Sequence, residues 1–208
     1  MNRYERLGIL LLLQCTLLTV GSAHANLIVN GGFESIVSDP GAFGGLAPSD
    51  WTLSQGGADS FTFDNCGNVP TAAPPHSGSC AMTFATQGTD GSISQTLATV
   101  AGSQYAISFW LGNFLTLGGG TDNSFSVTFG GIPIFSETDI PLEPYTLLTE
   151  FATATSATTV LSFAGRNFPD STGLDDVSVE LAVIPEPASI ALVATALLGF
   201  GAIRRKRR

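Results

Sequence analysis

Cationic side chains are almost missing from the middle of this 208-residue chain: between Asn26 and Ile184 there is one arginine, Arg166, and no lysine. Set against fifteen carboxylates, that leaves the segment with a net charge of −14. The other basic residues lie at the ends, as Arg3, Arg6 and the run Arg204-Arg205-Lys206-Arg207-Arg208. Affinity for nucleic acid comes from Lys and Arg neutralising phosphates, so nucleic acid is excluded as a partner of the middle segment, whereas divalent cations and neutral sugars are not. Charged residues are only 12% of the whole, and no stretch of the middle shows an amphipathic helical period, which argues against long solvated helices. Cysteine is scarce too, with three residues and no Cys-x-x-Cys, so dithiol redox chemistry is excluded. No repeat of 20–50 residues is present, which removes solenoids and propellers.

What the chain does have is grease at both ends. Arg3 and Arg6 precede an apolar run from Leu7 to Val20, and Ala23-His24-Ala25 supplies small residues at both specificity positions of a signal-peptidase site. Residues 1–25 therefore read as a signal peptide cut between Ala25 and Asn26. The alternative is a permanent N-terminal anchor. Cys15 lies inside the run rather than after it, which speaks against a lipoprotein. At the other end Pro185-Glu186-Pro187 precedes an apolar stretch from Ala188 to Ile203 and then the basic run. Sixteen helical residues give about 24 Å against roughly 30 Å of hydrocarbon, a thin transmembrane span eased by snorkelling Arg and Lys. The basic run stays cytoplasmic, so everything before Pro185 lies outside, in agreement with the signal peptide.

Motif, apolar helix and Arg-rich end, in that order over residues 184–208, resemble the bacterial PEP-CTERM sorting signal. The resemblance implies recognition by exosortase, an inner-membrane enzyme, with cutting near Pro185, Glu186 and Pro187. It further implies a Gram-negative bacterium that makes exopolysaccharide. A retained single-span anchor is the alternative. Similar tails also occur on ice-binding proteins, so the tail alone does not define the body.

Residues 26–183 read as the folded domain. Tyr105, Ile107, Phe109 and Leu111 alternate with Ala106, Ser108, Trp110 and Gly112; Phe125–Phe129 and Thr158–Phe163 alternate likewise. Further strands are expected at Leu27–Val29, Ser60–Phe63, Ala81–Ala85, Ser92–Ala98, Thr146–Thr153 and Asp175–Leu181. Glycine-rich turns separate them, giving eight to ten short strands and an all-β antiparallel sandwich. The order NLIVNGGFE (26–34), Trp51, HSGSCAM (76–82), GSQYAISFWL (102–111) and LDDVSV (174–179) resembles the galactose-binding-like jelly rolls, which include many carbohydrate-binding modules. That resemblance implies a sandwich, often with a structural calcium where the first and last strands meet, and often with a sugar-binding face.

Several residues are candidates for chemistry. Cys66 and Cys80, the pair left after signal removal, point to a disulfide in an exported chain, with free thiols or a metal pair as alternatives. On period two Asp175 shares a face with Val177 and Val179, and an inward carboxylate is costly unless paired or bound to a cation. The jelly-roll resemblance carries calcium ligation to Glu34 and Asp175, with Asp176 beside them; the alternative is a strand-end Asp bonded to backbone amides. Trp110 points away from its strand's core residues and offers an aromatic face for a pyranose ring, or else lies under a loop. Tyr145 is a second platform, and Trp51 belongs in the core. His76 stands beside Ser77, but no Gly-x-Ser-x-Gly and no acid–base pair accompany them, so catalytic residues are not expected. Thr153, Thr155, Thr158 and Thr159 are too few for an ice-binding array. The sequence thus leads to an exported, exosortase-sorted surface or matrix protein, non-enzymatic, with polysaccharide as candidate ligand. A dedicated carbohydrate-binding module is the second reading, and a hydrolase or ice-binding protein trails both.

Overall fold

A computed structural model describes residues 25–39, 46–55, 62–67, 72–114 and 122–182. The signal peptide, the sorting tail and the expected transmembrane helix lie outside these residues. The compact unit spans His24–Ala182. Among the described residues twelve strands follow in order: β1 (Ile36–Ser38), β2 (Leu46–Pro48), β3 (Thr52–Ser54), β4 (Thr62–Asn65), β5 (Ala81–Phe84), β6 (Gly91–Ala98), β7 (Gln104–Phe114), β8 (Asn123–Phe129), β9 (Ile132–Thr138), β10 (Glu143–Thr153), β11 (Thr158–Asn167) and β12 (Ser171–Leu181). Two five-stranded antiparallel sheets result, ordered β10-β7-β12-β5-β4 and β3-β6-β11-β8-β9, with β1 and β2 forming a small separate ribbon.

The inward residues of both sheets make one core. Ile107, Phe109 and Leu111 from β7 meet Phe125 and Val127 from β8 and Leu161 and Phe163 from β11, all at most 2% exposed. Phe109 packs edge-on against Phe163 with centroids 5.3 Å apart, and Phe84 against Phe125 at 5.4 Å. Edge-to-face pairs add about 0.5–1.5 kcal/mol each beyond the area they bury. Trp51 joins this core as expected, its ring 5.5 Å from Phe33 and its indole N–H donating to the Asn30 carbonyl.

Leu27–Val29 is extended but not a ladder strand. Leu27 N–H donates to Val179 O and Val177 N–H to Gly31 O, so the first segment lies along the second half of β12, where β5 no longer pairs. Gly31 is obligatory there, because a Cβ would run into the Val177 carbonyl oxygen. Asn30 takes a positive φ and anchors the following turn through its side chain, which bonds Ser35 N–H and the carbonyls of Ser35 and Ser49. Strand β12 breaks its own alternation. Asp175 pairs with Trp110 and Ser178 with Ser108, so Asp176 and Val177 together face Phe109 alone. This bulge, with Asp176 at φ 49°, turns Asp175 to the outer face while Leu174, Val177 and Val179 stay in the core. The expected shared face of Asp175, Val177 and Val179 is therefore corrected.

Candidate functional site: an acidic and aromatic cluster on the outer sheet face

Cys66 and Cys80 form a disulfide, closing the connection between β4 and β5. The end of that connection, residues 72–80, folds over the outer face of the first sheet and is held by carboxylates. Asp175 Oδ2 accepts the backbone N–H groups of His76 (2.9 Å) and Ser77 (3.1 Å), and Glu34 Oε1 accepts those of Ser79 (2.7 Å) and Cys80 (3.0 Å). Asp176 completes the clamp through side chains, Oδ2 to His76 Nδ1 at 2.7 Å and Oδ1 from Ser77 Oγ at 2.8 Å. Asp175 is fully buried although it sits on the outer face, because the loop covers it. Of the two environments foreseen for it, the structure shows the bonding to backbone amides, and it adds neighbouring acids.

Glu34, Asp175 and Asp176 meet around Gly32. A Cβ at Gly32 would lie 3.6 Å from Asp176 Oδ1, 4.0 Å from Asp175 Oδ1 and 3.9 Å from Glu34 Cγ. Asp64, which sequence reasoning passed over, belongs with them. It is 4% exposed, its Oδ2 has no hydrogen-bond partner, and burial, then the charges of Glu34 and Asp175, push its carboxyl up to about 7. Burial likewise raises Asp175 to about 6, against the opposing pull of its backbone hydrogen bonds. An acid inside the buried β4, beside Cys66, was the available sequence signal. Arg166 does not relieve this charge. It pairs with Asp90 (2.8 Å) and Asp122 (3.0 Å) instead.

These groups can hold a metal ion. His76 with one oxygen each from Asp175 and Asp176 forms a set within 4.8 Å; its carboxylate oxygens are donors calcium prefers, its imidazole is not, and Glu34 and Asp64 are not members of that set. Asp64 with Cys66 and Cys80 forms a second close set, but its sulfurs are consumed by the disulfide.

Trp110 faces outward, as its alternation indicates, and is half-buried beneath the loop, which is the alternative the sequence left open for it. The His76 ring stacks on it with centroids 3.9 Å apart and planes 18° apart, and Tyr145 stands edge-on to His76 at 5.4 Å. Tyr145 OH donates to the Pro74 carbonyl, and burial, then the charges of Asp175 and Asp176, raises its hydroxyl further. Sequence placed Trp110 and Tyr145 as platforms and His76 as a loop residue; the structure brings all three together. Further along this face Leu147 and Phe151 are 51% and 59% exposed. The threonines do not form a planar array: Thr159 is buried and shares a hydrogen bond with Thr99, while Thr155 lies in the turn between β10 and β11.

With this geometry in view, the sandwich has counterparts among solved structures. A candidate sugar-binding protein from Bacteroides thetaiotaomicron aligns with a TM-score of 0.51 and 12% identity over 76% of this chain and all of its own. A cleaved adhesin domain of Lys-gingipain aligns with a TM-score of 0.51 and 16% identity over 78% of this chain and all of its own. TmCBM61, solved with β-1,4-galactotriose, aligns at 0.49 and 20% identity over 76% of this chain and 99% of its own. What these likenesses show is the fold class, an antiparallel two-sheet β-sandwich of the kind the strand alternation anticipates. No curated protein matches the chain in sequence. At the level of processing the chain is more specific: residues 183–208 match the PEP-CTERM protein-sorting motif. That motif implies export, membrane anchoring and recognition by exosortase.

Proposed function

We propose that this is a non-enzymatic protein of the cell surface or extracellular matrix, released from the inner membrane by exosortase and binding polysaccharide on the outer face of the first sheet. Signal peptidase acts on it first, between Ala25 and Asn26. The observation that carries the binding reading is the outward indole of Trp110, with Tyr145 beside it. His76 lies flat on that indole, so the face stacks a ring and a pyranose takes that place where the loop lifts His76 away. The acidic surroundings favour a neutral sugar over an anionic one, because an anion would meet Asp175 and Asp176. A structural calcium held by Glu34, Asp175 and Asp176, with Asp64 behind them, braces the loop that carries His76. When bound it supplies only charge neutralisation.

The absence of catalysis is part of the proposal, and the hydroxyl chemistry supports it. Ser77 Oγ donates to Asp176 Oδ1 while His76 Nδ1 contacts Oδ2 of the same carboxylate, so hydroxyl and imidazole each engage the acid rather than each other, and the order of a Ser–His–acid relay is not set up. A glycan array probed with the purified 26–184 body tests the reading. Binding to a neutral polysaccharide that disappears with Trp110→Ala supports the face, and binding tight enough to be the sole role supports a dedicated module. Silence across the array leaves a purely structural matrix protein and removes the ligand reading.

A further inference from the structure

The two ends of the sandwich differ in charge, and the chain leaves from the neutral one. Ala182 N–H donates to Gln104 O, the last backbone bond of the body, and the Asn26 side chain accepts Val179 N–H close by. Both outgoing segments therefore depart beside the start of β7. Three turns share this end and are tied together: Thr99 N–H to Ala157 O, Gly102 N–H to Ala154 O, and Gly130 N–H to Val160 O. Not one charged residue occurs in 26–28, 99–104, 128–133, 153–158 or 181–182. The nearest carboxylate along the chain is Glu180. Instead Val100, Ile132 and Val160 stand 63%, 55% and 45% exposed here. The far end, where β6, β8, β10 and β12 begin, carries Asp90, Asp122, Glu137, Asp139, Glu143 and Asp170.

The tether is short. Pro185 is three residues beyond Ala182, about 10 Å of fully extended chain, and the apolar stretch begins at Ala188, about 20 Å away at most. While the tail is still in the bilayer, this end cannot stand far from the headgroups. In a body with fifteen carboxylates, an end without them is the one that an anionic lipid surface does not repel. We infer that the loop end formed by Thr99–Ser103, Ala154–Ala157 and the Gly130-Gly131 turn is a lipid-facing surface, resting on the phospholipid headgroups with Val100 and Ile132 foremost until the tail is cut. The inference rests on the anchored stage that the sorting motif implies.

The test uses the full chain in a Cys15→Ser background, with an environment-sensitive fluorophore on Val100→Cys or, at the far end, on Asp139→Cys. Vesicles of phosphatidylethanolamine and phosphatidylglycerol are the probe. Val100 is exposed, so the substitution leaves the core untouched. The expected result is a blue shift and quenching by headgroup-nitroxide lipid at position 100, with neither at 139. A chain that floats with the vesicles yet shows no shift at position 100 overturns the inference and leaves the anchored stage standing. A chain that does not float at all removes the anchored stage and the inference with it. A shift at position 100 that appears only when exosortase is added assigns the surface to a protein partner and overturns the lipid reading.

Discussion

Asp64 shows what a single buried carboxyl demands of its surroundings. In the native protein it keeps its proton up to about pH 7, whereas in the unfolded chain it ionises near 3.8. The native state thus binds the extra proton between those values, and the metal-free protein loses stability as pH rises through that window. Asp175 is likewise raised, to about 6. The two carboxyls face each other, so their contributions overlap rather than add, and the direction of the slope is the same for both. With chelator present, the melting temperature should be higher near pH 5 than near pH 8. Calcium should raise it most at the alkaline side, where the carboxylates are charged and a cation has most to neutralise. Asp175→Ala should remove the response to calcium, and melts that coincide with and without chelator at pH 8 would eliminate the cation site. How far the residues announced themselves follows from range. The outward face of Trp110 was legible because period two is local. The imidazole that covers it comes from position 76 through a loop, and nothing local encodes that approach. That Asp175 bonds backbone amides was legible as one of its alternatives, but its orientation was not, since an Asp-Asp pair does not disclose that Asp176 will adopt a positive φ within a bulge.

Among the elements, the connection from Cys66 to Cys80 does most to shape the site. Its described residues, 66–67 and 72–80, carry no regular structure, and their hold on the sheet includes the disulfide, four backbone N–H groups capped by Glu34 and Asp175, the Asp176 bonds to His76 and Ser77, the Tyr145–Pro74 bond and the His76–Trp110 stack. Gly78 is fitted to this arrangement, with φ +60° and the Glu34 carboxylate where a Cβ would go. Opening a covalent loop of this length lowers stability by about 3 kcal/mol on the chain-entropy account. Reduction should therefore lower the melting temperature. It should also uncover Trp110, read as increased quenching of tryptophan fluorescence by acrylamide before global unfolding, while Trp51 stays shielded in the core. Quenching that stays at its oxidised level until the whole domain melts would mean that the carboxylate clamp holds the loop without help. The long strands β6, β7, β8 and β11 were visible in the sequence because each buries one face and alternates, whereas β12 was visible only over its second half, since its first residues are buried on both faces and a bulge breaks its alternation. Strand β9 was not, since Ile132–Thr138 lies at the sheet edge and is exposed or half-exposed throughout. Strands β1, β2 and β3 have three residues each, too few for any period to register.

For the whole molecule, the fold restricts where processing can occur. Strand β12 runs between β7 and β5 and ends at Leu181, and its last residues carry the pairing with Tyr105 and the first segment of the body. A cut before Ala182 would pull out a central strand and open the core at Val177 and Val179. The matched motif begins at 183, so sorting chemistry has only the residues from there onward to act on without unfolding the body. At the other end Asn26 is itself a structural residue, its side chain accepting the N–H groups of Ile28 and Val179. Cleavage after Ala25 leaves that contact whole, whereas cleavage two residues later would remove it. The intact mass of the protein recovered from its native cell surface should accordingly correspond to a chain starting at Asn26 and ending at or beyond Val183. It should be lighter by two hydrogens for the Cys66–Cys80 bond and heavier by whatever group exosortase attaches. A mass that retains all of residues 184–208 would make the tail a lasting anchor, and one that ends within β12 would be incompatible with this sandwich.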